Sequence, residues 1–134
     1  MKTYVFDASA LFNFLQNKPS APKVNEILKD GIRGHARILI SAVNYGEVYG
    51  RVLRDEGPDK ALACMHALSP LSIEVLDATP QRAFQAAELK AKYKLYYVDG
   101  FAAALAVEHK ATLVTSDSDF RKLGRSVSVL WLKV

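Results

Sequence analysis

The sequence has few of the features that stabilise extracellular proteins or anchor membrane proteins. Cys64 is the only cysteine among 134 residues, so an intrachain disulfide is excluded. The longest apolar run, residues 101–107, is too short to span a bilayer, and no apolar signal-peptide core follows the N-terminus. Repeats, low-complexity tracts and linkers are also missing. These absences predict one domain, residues 1–134, in a reducing cytoplasm, with Cys64 as a buried apolar side chain.

The sequence does contain enough apolar material for a packed core, together with a small excess of positive charge. Half of the residues are hydrophobic, and 18 Lys and Arg residues outnumber 14 Asp and Glu residues, which gives a net charge of +4. If a cation occupied several of those carboxylates, the remaining surface would be more basic still. Such a surface suits a polyanionic partner, although a mildly basic charge alone favours nucleic acid only weakly.

Strand and helix patterns alternate along the whole chain. Short runs of β-branched and aromatic residues predict strands at residues 3–6, 37–40, 72–76, 112–115 and 128–132. Periodicity and capping residues predict helices at residues 9–16, 22–31, 42–55, 58–68, 80–94, 99–109 and 116–124. The alternation and its short connections predict a doubly wound α/β fold, in which helices cover both faces of a short parallel sheet.

Four acidic residues stand at the ends of apolar segments that are far apart in the sequence: Asp7, Glu47, Asp99 and Asp117. Asp7 follows the first predicted strand, and Asp117 follows the fourth. In a parallel sheet both would emerge at the carboxyl edge, where ligand crevices form. Carboxylates gathered there repel one another unless a hard divalent cation neutralises them. The pattern therefore predicts an acidic metal pocket.

Two of these acids also have a simple structural explanation. Asp7 could cap the first helix, but Ser9 can perform that role, which leaves Asp7 free for a ligand and lets Ser9 hydrogen-bond its carboxylate. Asp99 begins a helix that is apolar on every side, where the helix dipole favours a carboxylate. The structural role and the metal role are compatible, because a carboxylate has several acceptor positions.

The other two acids give opposite signals. Ser116 and Asp119 form a capping-box-like pair, which accounts for Asp119 and leaves Asp117 without a capping role. The Asp-x-Asp spacing resembles part of a calcium loop, but the downstream Gly and Glu of an EF-hand are missing. Glu47 lies roughly 140° from the centre of the apolar stripe on a helical wheel, so periodicity alone predicts a solvated side chain.

Four stretches that contain these acids carry a resemblance to a known family: residues 5–11, 40–48, 98–104 and 113–120. The chain resembles the PIN-domain family, and within it the small VapC-type toxins of prokaryotic toxin–antitoxin pairs. The last stretch, which ends Thr-Ser-Asp-Ser-Asp-Phe, is the most specific, and the resemblance covers essentially the full length. The sequence departs from the family pattern at Gly100, where alanine is expected, and we expect this glycine to loosen the start of its helix.

The resemblance implies a doubly wound α/β fold and a pocket of acids that binds Mg²⁺ or Mn²⁺. In this sequence the implied catalytic residues and metal ligands are Asp7, Glu47, Asp99 and Asp117. The pocket thus includes Glu47, which the helical wheel did not select. The residues that support it are Ser9, Thr115 and Asp119.

The activity that the resemblance implies is metal-dependent hydrolysis of RNA phosphodiester bonds, with a 5′-phosphate and a 3′-hydroxyl as products. The family also implies a homodimer and a cognate antitoxin whose C-terminal segment covers the acidic site. Four aromatic residues could form a groove for that segment or belong to the core: Phe12, Phe14, Tyr45 and Tyr49. We favour the core for at least half of them. The three histidines have no partner at ligand spacing and are expected to be bystanders.

Basic residues near the acids are candidates for substrate binding. Arg51 and Arg54 follow Glu47 on one helix, and Lys92 and Lys94 precede Asp99 among several tyrosines. Lysines interleaved with aromatic side chains suit phosphate contacts and base stacking, which favours single-stranded or looped RNA. The alternative is an amphipathic helix end with solvated lysines.

Other functions fit the sequence less well or stay open. A phosphatase of the haloacid-dehalogenase type needs a second Asp where this chain has Ser9, and a receiver domain needs an early acidic pair. A non-catalytic PIN-type RNA-binding or assembly module is disfavoured by the intact set of four acids. A housekeeping RNA-processing nuclease stays open as an alternative to a toxin.

Overall fold

The computed structural model of the protein describes residues 1–134. Five strands form its centre: β1 (Lys2–Phe6), β2 (Ala36–Ser41), β3 (Ile73–Leu76), β4 (Thr112–Thr115) and β5 (Ser128–Trp131). Their spatial order is β3-β2-β1-β4-β5, and every pairing is parallel. The predicted fold class is therefore confirmed.

Six α-helices and one 3₁₀ helix connect the strands. They are α1 (Ala8–Leu15), α2 (Ala21–Ile32), α3 (Ala42–Glu56), α4 (Pro58–Leu68), α5 (Pro80–Tyr93), α6 (Tyr97–His109) and the 3₁₀ helix Ser118–Leu123. Each helix that the sequence predicts is present, and its ends lie within two residues of the prediction. None of the helices is both long enough and apolar enough to cross a membrane.

Two helix starts differ from the prediction at positions that matter for the site. The cap of α1 is Asp7, whose side chain accepts a hydrogen bond from the backbone NH of Ala10, so the prediction that Ser9 caps this helix is wrong. The backbone of Asp7 is extended where β1 ends, which is the conformation of an N-cap. Helix α6 begins at Tyr97, so Asp99 lies inside its first turn and does not begin it.

Helices cover both faces of the sheet. On β1, Tyr4 and Phe6 belong to the core on one face and Val5 to the core on the other, because side chains alternate along a strand. The first core packs helices α1 to α4, and the second packs α6 and the 3₁₀ helix. Since α6 is buried from Gly100 to Ala106, it serves as a central helix of the second face.

Two expectations about individual side chains are settled by these cores. Phe12 is buried in the first core, and Phe14, Tyr45 and Tyr49 are partly buried against it, which agrees with the core interpretation of the early aromatics. Cys64, by contrast, is only partly buried. The expectation of a fully buried cysteine is wrong because Cys64 lies on α4, which covers the first core from outside.

Gly100 is a point at which α5 and α6 pack closely together. A β-carbon added to Gly100 would lie 2.6 Å from the carbonyl oxygen of Ala86 and 3.3 Å from its α-carbon. Only glycine lets the two backbones pack at this distance. The glycine therefore fixes the first turn of α6 against α5, which contradicts the expectation that it loosens this turn.

Candidate metal centre

The site lies where the order of the strands reverses. From β1, the strands β2 and β3 lie on one side and β4 and β5 on the other. Asp7 comes directly after β1, and Asp117 follows β4 by two residues. Ligand crevices in parallel sheets form outside the carboxyl ends of the strands at such a reversal. Both acids thus lie at the edge that the sequence predicts for them.

Asp7 is a buried carboxylate with three hydrogen-bond donors. Asp7 is only 5% exposed. The Oδ1 atom accepts hydrogen bonds from the hydroxyl of Ser9 at 2.7 Å and from the backbone NH of Ala10 at 3.1 Å. The Oδ2 atom accepts a hydrogen bond from the hydroxyl of Thr115 at 2.5 Å. Ser9 and Thr115 are therefore in contact with the carboxylate that they were predicted to support.

Further hydrogen bonds tie the end of β4 to the start of α1. The backbone NH of Ser116 donates to the hydroxyl of Ser9 at 3.0 Å, and that of Asp117 donates to the hydroxyl of Thr115 at 3.0 Å. The side-chain amide of Asn13, a buried residue, donates to the hydroxyl of Ser116 at 3.0 Å. These contacts hold Asp117 in a fixed position relative to Asp7.

Three aspartates form the cluster in which carboxylate oxygens come closest together. Oxygen atoms of Asp99, Asp117 and Asp119 all lie within 4.8 Å of one another. Asp117 caps the 3₁₀ helix by accepting a hydrogen bond from the backbone NH of Asp119 at 2.9 Å. The predicted capping box of Ser116 and Asp119 is wrong, since the helix starts two residues later than expected. Asp119 is consequently free to face the other acids.

Glu47 reaches the acidic region from α3. Its Oε1 atom accepts a hydrogen bond from the side-chain nitrogen of Asn44 at 3.0 Å, and the same nitrogen donates to the carbonyl oxygen of Val98 at 3.1 Å. The buried side of α3 consists of Asn44, Val48 and Val52, a stripe that differs from the one chosen on the helical wheel. Glu47 lies at the border of the buried side and is exposed, as periodicity predicts, but its carboxylate is held by the hydrogen bond from Asn44.

Asn44 is a residue that the sequence analysis missed. It is 1% exposed, although asparagine is rarely buried without a structural or functional reason. The signal in the sequence that could have identified it is an asparagine three positions before a candidate acid, about one helical turn away.

Burial changes the acidity of Asp7. Removal from water raises the pKa of Asp7 to about 6, although the hydrogen bonds from Thr115, Ser9 and Ala10 act in the opposite direction. The negative charge of Asp117 adds to the rise. The protein therefore holds this carboxylate in surroundings that disfavour its ionised form.

Burial and crowding act together on the acids of the neighbouring helices. The pKa of Asp99 rises to about 7, first because the group is desolvated and then because Asp117, Asp7, Glu47 and Asp119 carry negative charge. Burial also raises the pKa of Glu47, with a further contribution from Asp117. The charge of Asp117 thus contributes to the raised pKa of each of the other three predicted acids, even though only Asp99 and Asp117 belong to the tightest cluster.

No basic side chain neutralises these acids. The ion pairs of the protein involve other carboxylates, those of Glu26, Asp55, Glu74 and Glu108. What is left is a partly desolvated set of carboxylate oxygens without a counter-ion. Such a donor set fits a hard divalent cation such as Mg²⁺ or Mn²⁺, which prefers oxygen ligands.

The predicted arginines border a groove next to Glu47. The groove has a volume of about 360 Å³, and Arg51 and Arg54 line it together with Phe12 and Glu47. The guanidinium of Arg51 lies 4.4 Å from the centre of the Phe12 ring. Both arginines also pair with Asp55, at 3.8 Å for Arg51 and 2.9 Å for Arg54. Part of their charge is thus already compensated.

The two predicted lysines, Lys92 and Lys94, have different surroundings in the structure. Lys94 lines a second groove, which reaches Asp119. The ammonium of Lys92 lies 5.3 Å from the centre of the Tyr93 ring, and Lys92 does not line this groove. Neighbouring lysines near a helix end point in different directions, because successive residues are about 100° apart around the axis.

A comparison with protein families gives one match. The family model described as PIN domain matches residues 4–126. No curated protein sequence matches the chain significantly.

Similar structures come from several bacteria. A chain of VapBC2 from Rickettsia felis, bound to a DNA fragment from its promoter, has a TM-score of 0.78 and 18% identity, with 98% of this chain and 99% of that chain covered. VapC20 from Mycobacterium tuberculosis, a toxin that cleaves the sarcin–ricin loop, has a TM-score of 0.72 and 16% identity, with 90% and 95% covered. FitAcB from Neisseria gonorrhoeae has a TM-score of 0.70 and 20% identity, with 95% and 96% covered. At these identities, the likeness establishes a shared fold.

Proposed function

Because the chain belongs to the PIN-domain family, we propose that it is a divalent-metal-dependent endoribonuclease and the toxin of a toxin–antitoxin pair. The observation that carries this proposal is the cluster of Asp99, Asp117 and Asp119, whose carboxylate oxygens lie within 4.8 Å of one another. Carboxylates do not gather at this distance without cost, and here no lysine or arginine compensates them.

In this proposal, Asp99, Asp117 and Asp119 hold Mg²⁺ or Mn²⁺. Asp7 and Glu47, which the family resemblance also implies as ligands, complete the acidic surroundings. Hydrogen bonds from Ser9 and Thr115 keep Asp7 in one orientation. When bound, the ion supplies a positive charge next to the phosphoryl oxygens of the substrate.

Glu47 is proposed to orient the attacking water and accept its proton. The Oε1 atom of Glu47 already accepts a hydrogen bond from Asn44, so Oε2 is the oxygen that would take the proton. The oxygen of the water forms a bond to phosphorus in line with the departing 3′-oxygen. The bond between phosphorus and the 3′-oxygen breaks, and the 3′-oxygen leaves with the electron pair and takes a proton from solvent water. The products are a 5′-phosphate and a 3′-hydroxyl.

The proposal includes two protein partners, a cognate antitoxin and a second copy of the chain. Chains of similar fold occur in the VapBC2 complex of Rickettsia felis and in a DNA-bound VapBC from Salmonella typhimurium, which supports an antitoxin partner. The homodimer rests on the family resemblance. Co-expression with the protein encoded next to it, followed by mass measurement of the purified complex, tests both partners.

Cleavage of a mixed cellular RNA preparation tests the activity. The wild-type protein is incubated with Mg²⁺ or Mn²⁺, beside a sample with EDTA and a sample of the Asp99→Asn variant. Discrete fragments that require both the metal and Asp99 would support the nuclease, and sequencing of their ends would identify the target. A housekeeping enzyme would process one RNA without arresting growth, whereas a toxin would arrest it unless the antitoxin is present.

The alternative is a non-catalytic RNA-binding or assembly module. Under that alternative, RNA binds to the wild-type protein, but no metal yields fragments. Cleavage that persists in EDTA would contradict the proposed metal dependence, because the reaction would then not need a cation bound to the acidic cluster.

A further inference from the structure

The groove that Lys94 lines carries lysines without ion-pair partners next to the acidic cluster. It has a volume of about 590 Å³ and lies between the end of α5, the turn before α6 and the 3₁₀ helix. Three lysines line it: Lys90, Lys94 and Lys122. Tyr96 and Asp119 also line it. We refer to this feature as the lysine groove.

The three lysines carry free positive charge. None of them forms an ion pair, in contrast to Arg51 and Arg54, which share Asp55. The ammonium of Lys122 donates a hydrogen bond to the carbonyl oxygen of Lys94 at 3.2 Å, which holds it against the turn between α5 and α6. Three like charges in one groove repel one another, and a polyanion would relieve that repulsion.

The lysine groove is continuous with the acidic cluster. Asp119 lines the groove and is also one of the three clustered aspartates. A chain of phosphates lying along the lysines would therefore pass directly into the acidic cluster. The groove also offers an aromatic surface, since Tyr96 is 73% exposed.

We propose that the lysine groove binds the backbone phosphates of single-stranded RNA adjacent to the cleaved bond, and that a base stacks on the ring of Tyr96. Lysine charges that follow a backbone, with an exposed aromatic ring beside them, are the combination that binds single strands without sequence preference. A duplex would not offer an unstacked base to Tyr96. This inference rests on the proposed nuclease function for its ligand, and it adds the path of the strand.

Binding of RNA, measured without cleavage, tests the lysine groove. A fluorescein-labelled single-stranded RNA of mixed sequence is titrated with the Asp99→Asn protein, and anisotropy is recorded over a range of salt concentrations. In that background, the variants are Lys90→Gln, Lys94→Asn and Lys122→Gln. Each should weaken binding and lower the slope of log affinity against log salt by about 0.7, the value expected for one lost phosphate contact with a single strand.

The chain offers a matched control for Lys94. Lys110 is also the C-cap of a helix in the left-handed conformation, with φ of 50° against 57° for Lys94, and it does not line the groove. Asparagine tolerates this conformation at both positions. Lys110→Asn should leave the affinity and the salt slope unchanged. Equal losses for the two variants would show a general charge effect and overturn the proposal.

The aromatic contact has its own pair of variants. Tyr96→Ala should weaken binding by about fivefold to a hundredfold, the range for one lost stacked base, whereas Tyr96→Phe should retain the affinity. Melting temperatures equal to that of the parent show that each variant is folded, which is expected because the substituted side chains are exposed.

The results separate this inference from the proposed function. Groove-dependent binding by a protein that cleaves no RNA in any metal would support the lysine groove and contradict the nuclease. Metal-dependent cleavage with unchanged RNA binding by all groove variants would support the nuclease and contradict the lysine groove. If the groove variants bind RNA normally but lose the co-expressed antitoxin, the groove is a protein-binding site and the inference is wrong.

Discussion

The side-chain nitrogen of Asn44 donates hydrogen bonds to Glu47 and to the carbonyl oxygen of Val98, at 3.0 and 3.1 Å. Because both partners are acceptors, the orientation of the amide is unambiguous. The contact joins α3 to the first turn of α6, where Asp99 lies. One buried amide thus holds two acids of the pocket in a fixed relationship, although they are 52 positions apart in the sequence.

Replacement of Asn44 should therefore impair the metal site. We expect Asn44→Ala to lower the affinity for Mn²⁺ by about tenfold to a hundredfold, the usual effect of losing a residue that orients a ligand. Titration calorimetry with Mn²⁺ measures this directly. Asn25→Ala is the control and should bind Mn²⁺ as the wild type does, because Asn25 lies on α2 and lines a groove that contains none of the acids. Unchanged affinity in Asn44→Ala would show that this amide does not position the metal site.

Gly100→Ala should destabilise the protein. The new β-carbon would lie 2.6 Å from a backbone oxygen of Ala86, so α5 and α6 must move apart. Overpacking of this kind costs about 1–3 kcal/mol, which exceeds the roughly 1 kcal/mol that alanine contributes to a helix over glycine. Urea unfolding followed by circular dichroism gives the change in free energy.

Gly46→Ala is the matched control, because nothing lies within 4 Å of a β-carbon at that position on α3. It should stabilise the protein by about 0.5–1 kcal/mol through helix propensity alone. If Gly100→Ala were equally stabilising, the close packing of α5 on α6 would be wrong.

The fold could be predicted from the sequence because its signals are local and mutually consistent. Each strand is a short apolar run, each helix has its own periodicity, and short connections leave a parallel sheet as the solution. The edge at which Asp7 and Asp117 emerge follows from that topology alone. Such inferences need no knowledge of which side chains touch.

The details of the site could not be predicted, because they depend on contacts between distant residues. The sequence predicts that Asp119 belongs to a helix cap. In the structure the helix starts later and Asp117 caps it, and the carboxylate of Asp119 lies in the cluster. Asn44 is invisible to a hydrophobic pattern, since it is polar and yet buried. Helix caps in particular depend on the backbone conformation of a single residue, and candidates two positions apart, such as Asp7 and Ser9, both have suitable side chains.

Thr115→Val tests the support of Asp7. Valine has the shape of threonine but lacks the hydroxyl that donates to Asp7 and accepts from the backbone NH of Asp117. Because Thr115 itself is fully buried at the end of β4, we expect a loss of about 1–3 kcal/mol in the free energy of unfolding. The pKa of Asp7 should rise further, since the Thr115 hydrogen bond lowers it. Thr115→Ser keeps the hydroxyl and should lose less stability; a larger loss for serine than for valine would contradict the argument.

The stability of the metal-free protein should fall as the pH rises. The pKa of Asp99 is raised from 3.8 to about 7, and that of Asp7 to about 6, so in this range the folded protein holds protons that the unfolded chain has released. Unfolding then releases protons, and a higher pH favours it. The loss begins as the pH passes the unfolded value near 4 and is complete above the folded values, near 7.

Asp99→Asn removes the larger of these two penalties. In EDTA, we expect the variant to melt about 2–6 °C above the wild type at slightly alkaline pH. At about pH 3, where the aspartate is largely protonated in both the folded and the unfolded state, the two proteins should melt at the same temperature. Differential scanning calorimetry across this range gives both values.

Added Mn²⁺ should reverse the order of the two melting temperatures at alkaline pH, because it stabilises the wild type through the ionised carboxylates and the variant lacks one of them. The control is Glu88→Gln, which neutralises an exposed carboxylate of α5 that forms no ion pair. Its melting temperature should equal that of the wild type both in EDTA and with Mn²⁺. If Asp99→Asn melts below the wild type in EDTA at alkaline pH, Asp99 is stabilised by contacts other than those described, and the repulsion within the cluster is not what a metal ion relieves.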